Sequence, residues 1–516
     1  MSRCRKILIV VVSVLGVAIL VPVIHHYQLR AATEAYIAEL KAQGEPMELS
    51  QVLPPPVPPE QNSADTFRQA AALIEADRSL LTTGTYSAMR MIMPGKAMIC
   101  WQQPDVRGFD STNSWKEVTE AVAQNEKSFA LLRQIIDKPD FDFQIKYQQG
   151  VADLDFTNLY LAPLKKAALR LEAAVLCDLH RGDTAAAVKD LRAMLALIKA
   201  ARDERFVISE LVRMADVNIA STVNWEILQS TNLTDEQLAE LQRDWADLDF
   251  IRPEENALAM EHVTGEITLA QWRSSNSEFQ RNLSLGKAVR EQLGMPDREL
   301  SIWVRTKMTT QMFLWHYWWS YPDEMRSLKG YEVLLDTVRF AETNGSFQDA
   351  LSARDAALDR LGILKLNNSL DSLLAGNPDF HSMLSESIVT LAGVTHKVMR
   401  IEAAKQVVIT AIALKRYQLK HGAYPTNLKS PVPEFLPKVP LDPVDGNPLR
   451  YRLNADGTFL LYSVGENGKD DGGDPSLEKG VQSSSFYWQN PHALDWVWPQ
   501  PATPEEVQNY YEHPTK

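Results

Sequence analysis

Apolar and polar residues alternate with three different rhythms along the chain. At the start, Ile7 to Ile24 is almost unbroken apolar sequence, interrupted only by Ser13, Gly16 and Pro22. In the middle, apolar residues recur every three or four positions. Leu164, Ala168, Leu171, Val175 and Leu179 mark one such stripe, which predicts a helix over 161–179. Arg181-Gly182-Asp183 breaks it, and Thr184 to Ala200 predicts the returning helix of an αα-hairpin. Further helices are expected over 118–136, 254–269, 300–319, 331–343, 347–361 and 390–421. Thr234 and Gln237 fit a capping box, and Pro253 suits a first helical position. Near the end the period falls to two. Tyr451–Leu453 and Thr458–Val464 read as strands around Asn454-Ala455-Asp456-Gly457, where Asp-Gly supplies the positive φ of a hairpin turn.

The apolar run is just long enough for a bilayer, which takes roughly 17–25 helical residues. Arg3, Arg5 and Lys6 precede it and would stay in the cytoplasm, leaving the bulk of the chain outside. A cleaved signal peptide is the rival reading. His25 to Arg30 is bulky and polar where a small-residue cleavage site belongs, which favours the anchor. Thr33–Gln43 then reads as a helical stalk, and Leu53-Pro54-Pro55-Pro56-Val57-Pro58-Pro59-Glu60 as a stiff spacer. The resulting organisation is a cytoplasmic tail over 1–6, a transmembrane anchor over 7–24, and stalk and spacer over 25–60. A helical domain over 61–397, an α+β module over 398–480 and an aromatic, proline-containing tail over 481–516 complete it.

Composition narrows the partners. The 516 residues carry a formal net charge of −13, and no long basic run relieves it, which argues against nucleic acid. Of the three cysteines, Cys4 would face the cytoplasm. Cys100 and Cys177 would lie outside, where pairing and two free thiols are both open. Seven aromatic residues between Trp303 and Tyr321 read either as a membrane-facing or ligand-stacking surface or as a packed core helix; no basic residue interleaves Phe313 to Tyr321, which favours the core reading.

Two resemblances add to this. The hairpin around Gly182 resembles a tetratricopeptide-type hairpin, without a second copy at that family's period. Residues 398–474 resemble the periplasmic domain of the type II secretion major pseudopilin. The matching pieces are Gly422-Ala423-Tyr424-Pro425-Thr426, Pro440-Leu441-Asp442-Pro443, Gly446-Asn447-Pro448-Leu449-Arg450-Tyr451 and Ser463-Val464-Gly465-Glu466-Asn467-Gly468, in that order. The resemblance implies a calcium ion pinning the last loop to the sheet. Its ligands would be the Leu461 carbonyl, Ser463, Asn467, Asp470, Asp471 and Asp474, with Asn467 where the family usually has Asp. The run before Ile24 lacks the pseudopilin cleavage point, and the module sits at the far end of the chain, so pilus polymerisation is not implied. The whole chain looks like uncharacterised envelope proteins of planctomycete and verrucomicrobial type.

No G-x-S-x-G, P-loop or H-E-x-x-H occurs. Two S-x-x-K matches, Ser284–Lys287 and Ser476–Lys479, lack the companion motifs of penicillin-binding proteins. Glu261, His262 and Glu266 share one expected helix and are the candidate acid–base or metal cluster. The expectation is a mainly α protein of the bacterial inner membrane, with its bulk in the periplasm. It would act as a non-enzymatic scaffold binding protein partners. An envelope hydrolase built on Glu261, His262 and Glu266, or an accessory part of a secretion or pilus-like system, is the alternative.

Overall fold

The computed structural model describes residues 3–77, 79, 81, 87–108, 112–147, 160–274, 315–364, 385–481 and 488–513; for 3–19, 22 and 386 it describes the backbone alone. The chain is mainly helical with small sheets. It runs α1 (Arg3–Gln43), α2 (Leu49–Val52), α3 (Ala64–Ala76), β1 (Arg90–Met93), β2 (Lys96–Met98), β3 (Val106–Arg107), β4 (Thr112–Asn113), α4 (Trp115–Gln124) and α5 (Glu126–Gln134). Then come α6 (Leu161–His180), α7 (Thr184–Ala200), α8 (Val207–Leu228), α9 (Asp235–Ala246) and α10 (Ile251–Ser274). A π-helical turn, Trp315–Trp319, leads into α11 (Ser320–Asn344), α12 (Phe347–Arg360) and α13 (Ser385–His421). The chain closes with β5 (Arg450–Leu453), β6 (Phe459–Val464), β7 (Asp495–Val497), β8 (Gln500–Pro501) and α14 (Pro504–Glu512).

The α6–α7 hairpin forms where the sequence places it. Gly182 takes φ +80°, and the Asp183 carboxylate caps α7 by accepting the Ala186 N–H at 3.0 Å. Helices α8 and α9 continue the stack, so that α6 packs on α8 and α7 on α9. The Thr234–Gln237 capping box opens α9. The layer of α5, α7 and α9 thus lies over the layer of α6 and α8, and α13 packs across α8 and α9. Its stripe of Ile401, Ala404, Val408, Ala411 and Ile412 is buried in one core that also holds residues of α3, α6, α10 and β6.

Several local expectations change. The single helix expected over 118–136 is two, because Asn125 leaves helical geometry. Its buried side chain donates to the Ala121 carbonyl and to Asp77 and accepts from Arg170. Helix α10 begins at Ile251, so Pro253 is inside its first turn, where a missing N–H costs nothing. Residues 300–314 of the expected 300–319 helix, and Ser284–Lys287, lie outside the described residues. Cys100 and Cys177 are free thiols. Cys100 Sγ donates to the Ser87 carbonyl, and Cys177 Sγ meets Thr119 Oγ1 at 3.3 Å.

The segment read as a stalk is continuous with the helix before it and lies along α11. Thr33 and Leu40 are buried there, Tyr36 donates to Glu332, and Arg339 binds Glu45. Among the described residues no helix is long and apolar enough to cross a membrane; most side chains of the Ile7–Ile24 run lie outside them.

The stretch set apart as a tail supplies two strands. β7 pairs antiparallel with β6, giving the order β5-β6-β7, with Tyr462 opposite Val497. β8 pairs in parallel with β2, with Lys96 opposite Gln500, and joins the β1-β2 hairpin. Buried carboxylates hold that hairpin from below: Glu172 of α6 accepts the Ala88 N–H, and Glu226 of α8 accepts those of Met89 and Cys100. Trp225 donates to the Pro499 carbonyl at 2.9 Å, so α8 touches both ends of this sheet.

Candidate functional site

The C-terminal loop is organised around three groups that the calcium reading did not contain. Asp442 is fully buried and accepts from Ser463 Oγ (2.8 Å), the Val464 N–H (2.9 Å), the Val444 N–H (3.1 Å) and Arg450 Nη1 (3.1 Å). Burial pushes its carboxyl up to about 6 against these donors. Arg450, on β5, turns its guanidinium to Asp442, Asp445 and Asp470 at once. Its hydrogen bond to Asp445 and the surrounding carboxylates raise its pKa despite burial. Asp495, at the head of β7, accepts the backbone N–H groups of Asp471 (3.4 Å), Gly473 (2.8 Å) and Asp474 (3.1 Å). The loop is drawn around a carboxylate of its own chain. Gly465 makes the close approach possible: a Cβ there would lie 2.4 Å from the Leu494 carbonyl oxygen.

The six expected calcium ligands are all bonded within the protein, Ser463 to Asp442 and Asp470 to Arg450 among them. The Leu461 carbonyl accepts the Trp498 N–H, and Ser463 is committed to Asp442. Asn467 accepts the Lys469 N–H and donates to Asp471. Asp470 accepts from Tyr462 OH (2.9 Å), the Gly472 N–H (3.0 Å) and Arg450 Nε (3.4 Å). Asp474 accepts from the Ser476 backbone and hydroxyl. Among the described residues no group of three or more His, Cys, Asp or Glu side chains is arranged to hold a metal ion. Of the expected carboxylate ligands only Asp470 faces a cation, the Arg450 guanidinium at 3.4 Å, while Asp471 and Asp474 are held by Asn467 and Ser476.

Glu261, His262 and Glu266 all lie on α10, but they are packed rather than open. His262 is 3% exposed, stacks on Tyr331 with ring centroids 4.9 Å apart, and has no hydrogen-bond partner at either ring nitrogen. Burial lowers its pKa to about 4, so the ring is neutral. Burial pushes the Glu261 carboxyl up to about 7. Glu266 is pushed up by burial and by Glu324 of α11, which itself pairs with Arg273 at 2.8 Å. Glu254, two turns earlier, is fully buried with both carboxylate oxygens unpartnered; burial and the nearby Glu210 and Glu261 hold it protonated. Periodicity marks His262 and Glu266 as neighbours but is silent on the enclosing α8 and α11, so Glu254 and Glu324 had no visible signal.

A broad depression lies elsewhere. A groove of about 730 Å³ crosses α5, α7 and α9, lined by Glu126, Arg133, Asp137, Lys189, Arg192 and Glu240 among others. A neighbouring depression of about 430 Å³ shares Glu126, Arg133 and Lys189 and reaches Asp178 and Arg181. Arg133 is fixed by buried Asp190 and by Glu126, and Arg192 by Glu240 (2.8 Å) and Asp244 (2.7 Å). These side chains are spaced and held by their neighbours while Lys189 stays exposed. The arrangement offers fixed charges of both signs on a rigid helical layer.

Compared with known proteins, the chain matches no family model, no curated protein and no solved structure.

Proposed function

We propose that this protein is a membrane-anchored extracytoplasmic scaffold that uses the α5–α7–α9 groove to bind a protein partner. The observation that carries the reading is the groove itself, a long open channel across stacked helices with pre-positioned charges of both signs. Such a surface suits an extended peptide segment, whose backbone dipoles and mixed side chains need both donors and acceptors. The apolar run Ile7–Ile24 behind three basic residues supports the anchor and the outward orientation of the rest. The lacing of the C-terminal module to the helical core supports a rigid scaffold. Phe347 and Gln348, at the start of α12, donate their N–H groups to the Pro443 and Val444 carbonyls, and Gln489 donates to the Arg400 carbonyl.

The test is site-specific photocrosslinking in membranes. A benzophenone side chain at Lys189 is expected to give a discrete protein adduct, abolished by the charge reversals Arg133→Glu and Arg192→Glu. The same probe at Arg360, on α12 outside the groove, should give none. Equal adducts from both positions would sink the groove reading.

A further inference from the structure

The expected helix rich in aromatic residues is split in its fate. Trp315 is buried and donates to Asp323 at 3.1 Å, which fixes the π-helical turn to the core. Tyr317 and Trp318, two and three residues later, are 49% and 42% exposed. They are held beside α1. The Tyr317 carbonyl bonds His26 Nδ1 at 2.8 Å, and the His26 ring meets Tyr321 edge-on with centroids 5.1 Å apart. On α1 itself, Ile24 and Tyr27 at this level are also exposed. Four exposed large apolar or aromatic side chains, from two distant parts of the chain, are thus brought to one level of the helix.

The position of these side chains decides what they meet. The run Ile7–Ile24, at about 1.5 Å per helical residue, is about 27 Å long. That is close to a hydrocarbon core of about 30 Å, so the far boundary of a bilayer threaded by this run falls at the level of Ile24 and Tyr27. Tyr and Trp are the side chains that favour that boundary, because each has an apolar body and a polar hydrogen-bonding tip. Trp318 and Tyr317 stand at the same level as Tyr27 because the His26 bond holds them there. The chain is acidic overall, so the attraction does not depend on anionic lipid.

We propose that Tyr27, Tyr317 and Trp318 form an interfacial collar that seats the helical domain directly on the outer surface of the bilayer, in contact with lipid. The inference rests on the anchored reading above. It adds that the domain is not held away from the membrane, in keeping with the packing of residues 29–40 of α1 against α11.

The experiment uses the full chain in phosphatidylcholine vesicles containing lipid brominated near the headgroup end of the acyl chain. Tryptophan fluorescence of the wild-type protein is expected to be quenched. Trp318→Phe should lose most of that quenching, and 1 M salt should not restore the emission. Trp488→Phe, in the C-terminal module, should leave the quenching unchanged. Equal quenching of the wild type and Trp318→Phe, or a Trp318 emission quenched by aqueous acrylamide instead, would overturn the collar while leaving the anchor intact. Release of the protein from the vesicles at alkaline pH would overturn the anchor itself, and the collar with it.

Discussion

Asp442 and Glu254 are both fully buried, yet Asp442 accepts four hydrogen bonds and Glu254 accepts none. The C-terminal module brings donors to its acids from within a short stretch of chain, since residues 442 to 464 supply all four. The α8–α10–α11 core brings acids to acids: Glu254 faces Glu210 and Glu261, and Glu266 faces Glu324. A buried carboxylate without donors is so costly that the proton stays on. Burial raises both acids, but its donors hold Asp442 at about 6, ionised at neutral pH, whereas Glu254 keeps its proton.

The largest effect should come from removing the cation of the first region. Arg450→Ala leaves Asp442 and Asp445 facing each other without a counter-charge and should cost about 3–5 kcal/mol, read by urea unfolding. A loss below about 1 kcal/mol would mean that the loop is not held by the guanidinium. Next comes pH. A carboxyl protonated in the fold but ionised in the unfolded chain gives stability that is complete below about 4.5 and lost as pH climbs through about 7, the position of Glu261. Glu261 alone should cost the helical core about 3 kcal/mol over that window; a melting temperature that is flat or rises between pH 5 and 8 would break the comparison. Glu254→Gln should recover part of that loss, about 1–2 kcal/mol at pH 8 and little at pH 5. Equal effects at both pH values would show that Glu254 is not the protonated acid described. The smallest expected effect is that of calcium or chelator on the melting temperature, which should be nil for the wild type. A saturable rise with calcium would restore a metal to the loop.

Much of the helical fold was legible because its signals are local. Gly182 and Asp183 announce the α6–α7 turn, Thr234 and Gln237 the start of α9, and Gly457 the β5–β6 hairpin. Asn125 escaped because its role depends on Asp77 and Arg170, which no periodicity connects to it. The loop's bonding was hidden for a related reason. Its glycines and acids are visible in the sequence, but Arg450, which binds Asp470, and Asp495, which accepts the Asp471, Gly473 and Asp474 N–H groups, stand about twenty residues to either side. The groove was invisible in sequence, since it arises from stacking α7 on α5 and α9 rather than from any run of residues.

The parallel pairing of β8 with β2 also bears on how the chain is made. Lys96 and Gln500 leave the ribosome about 400 residues apart, and closing so long a loop is slow. During that interval the β1–β2 hairpin is gripped by Glu172 and Glu226 but has a bare edge at β2, and its neighbour Trp225 lacks the Pro499 carbonyl. An open strand edge invites pairing with other chains. Synthesis that stalls before Gln500 would therefore leave β2 as an open edge, free to pair with another chain.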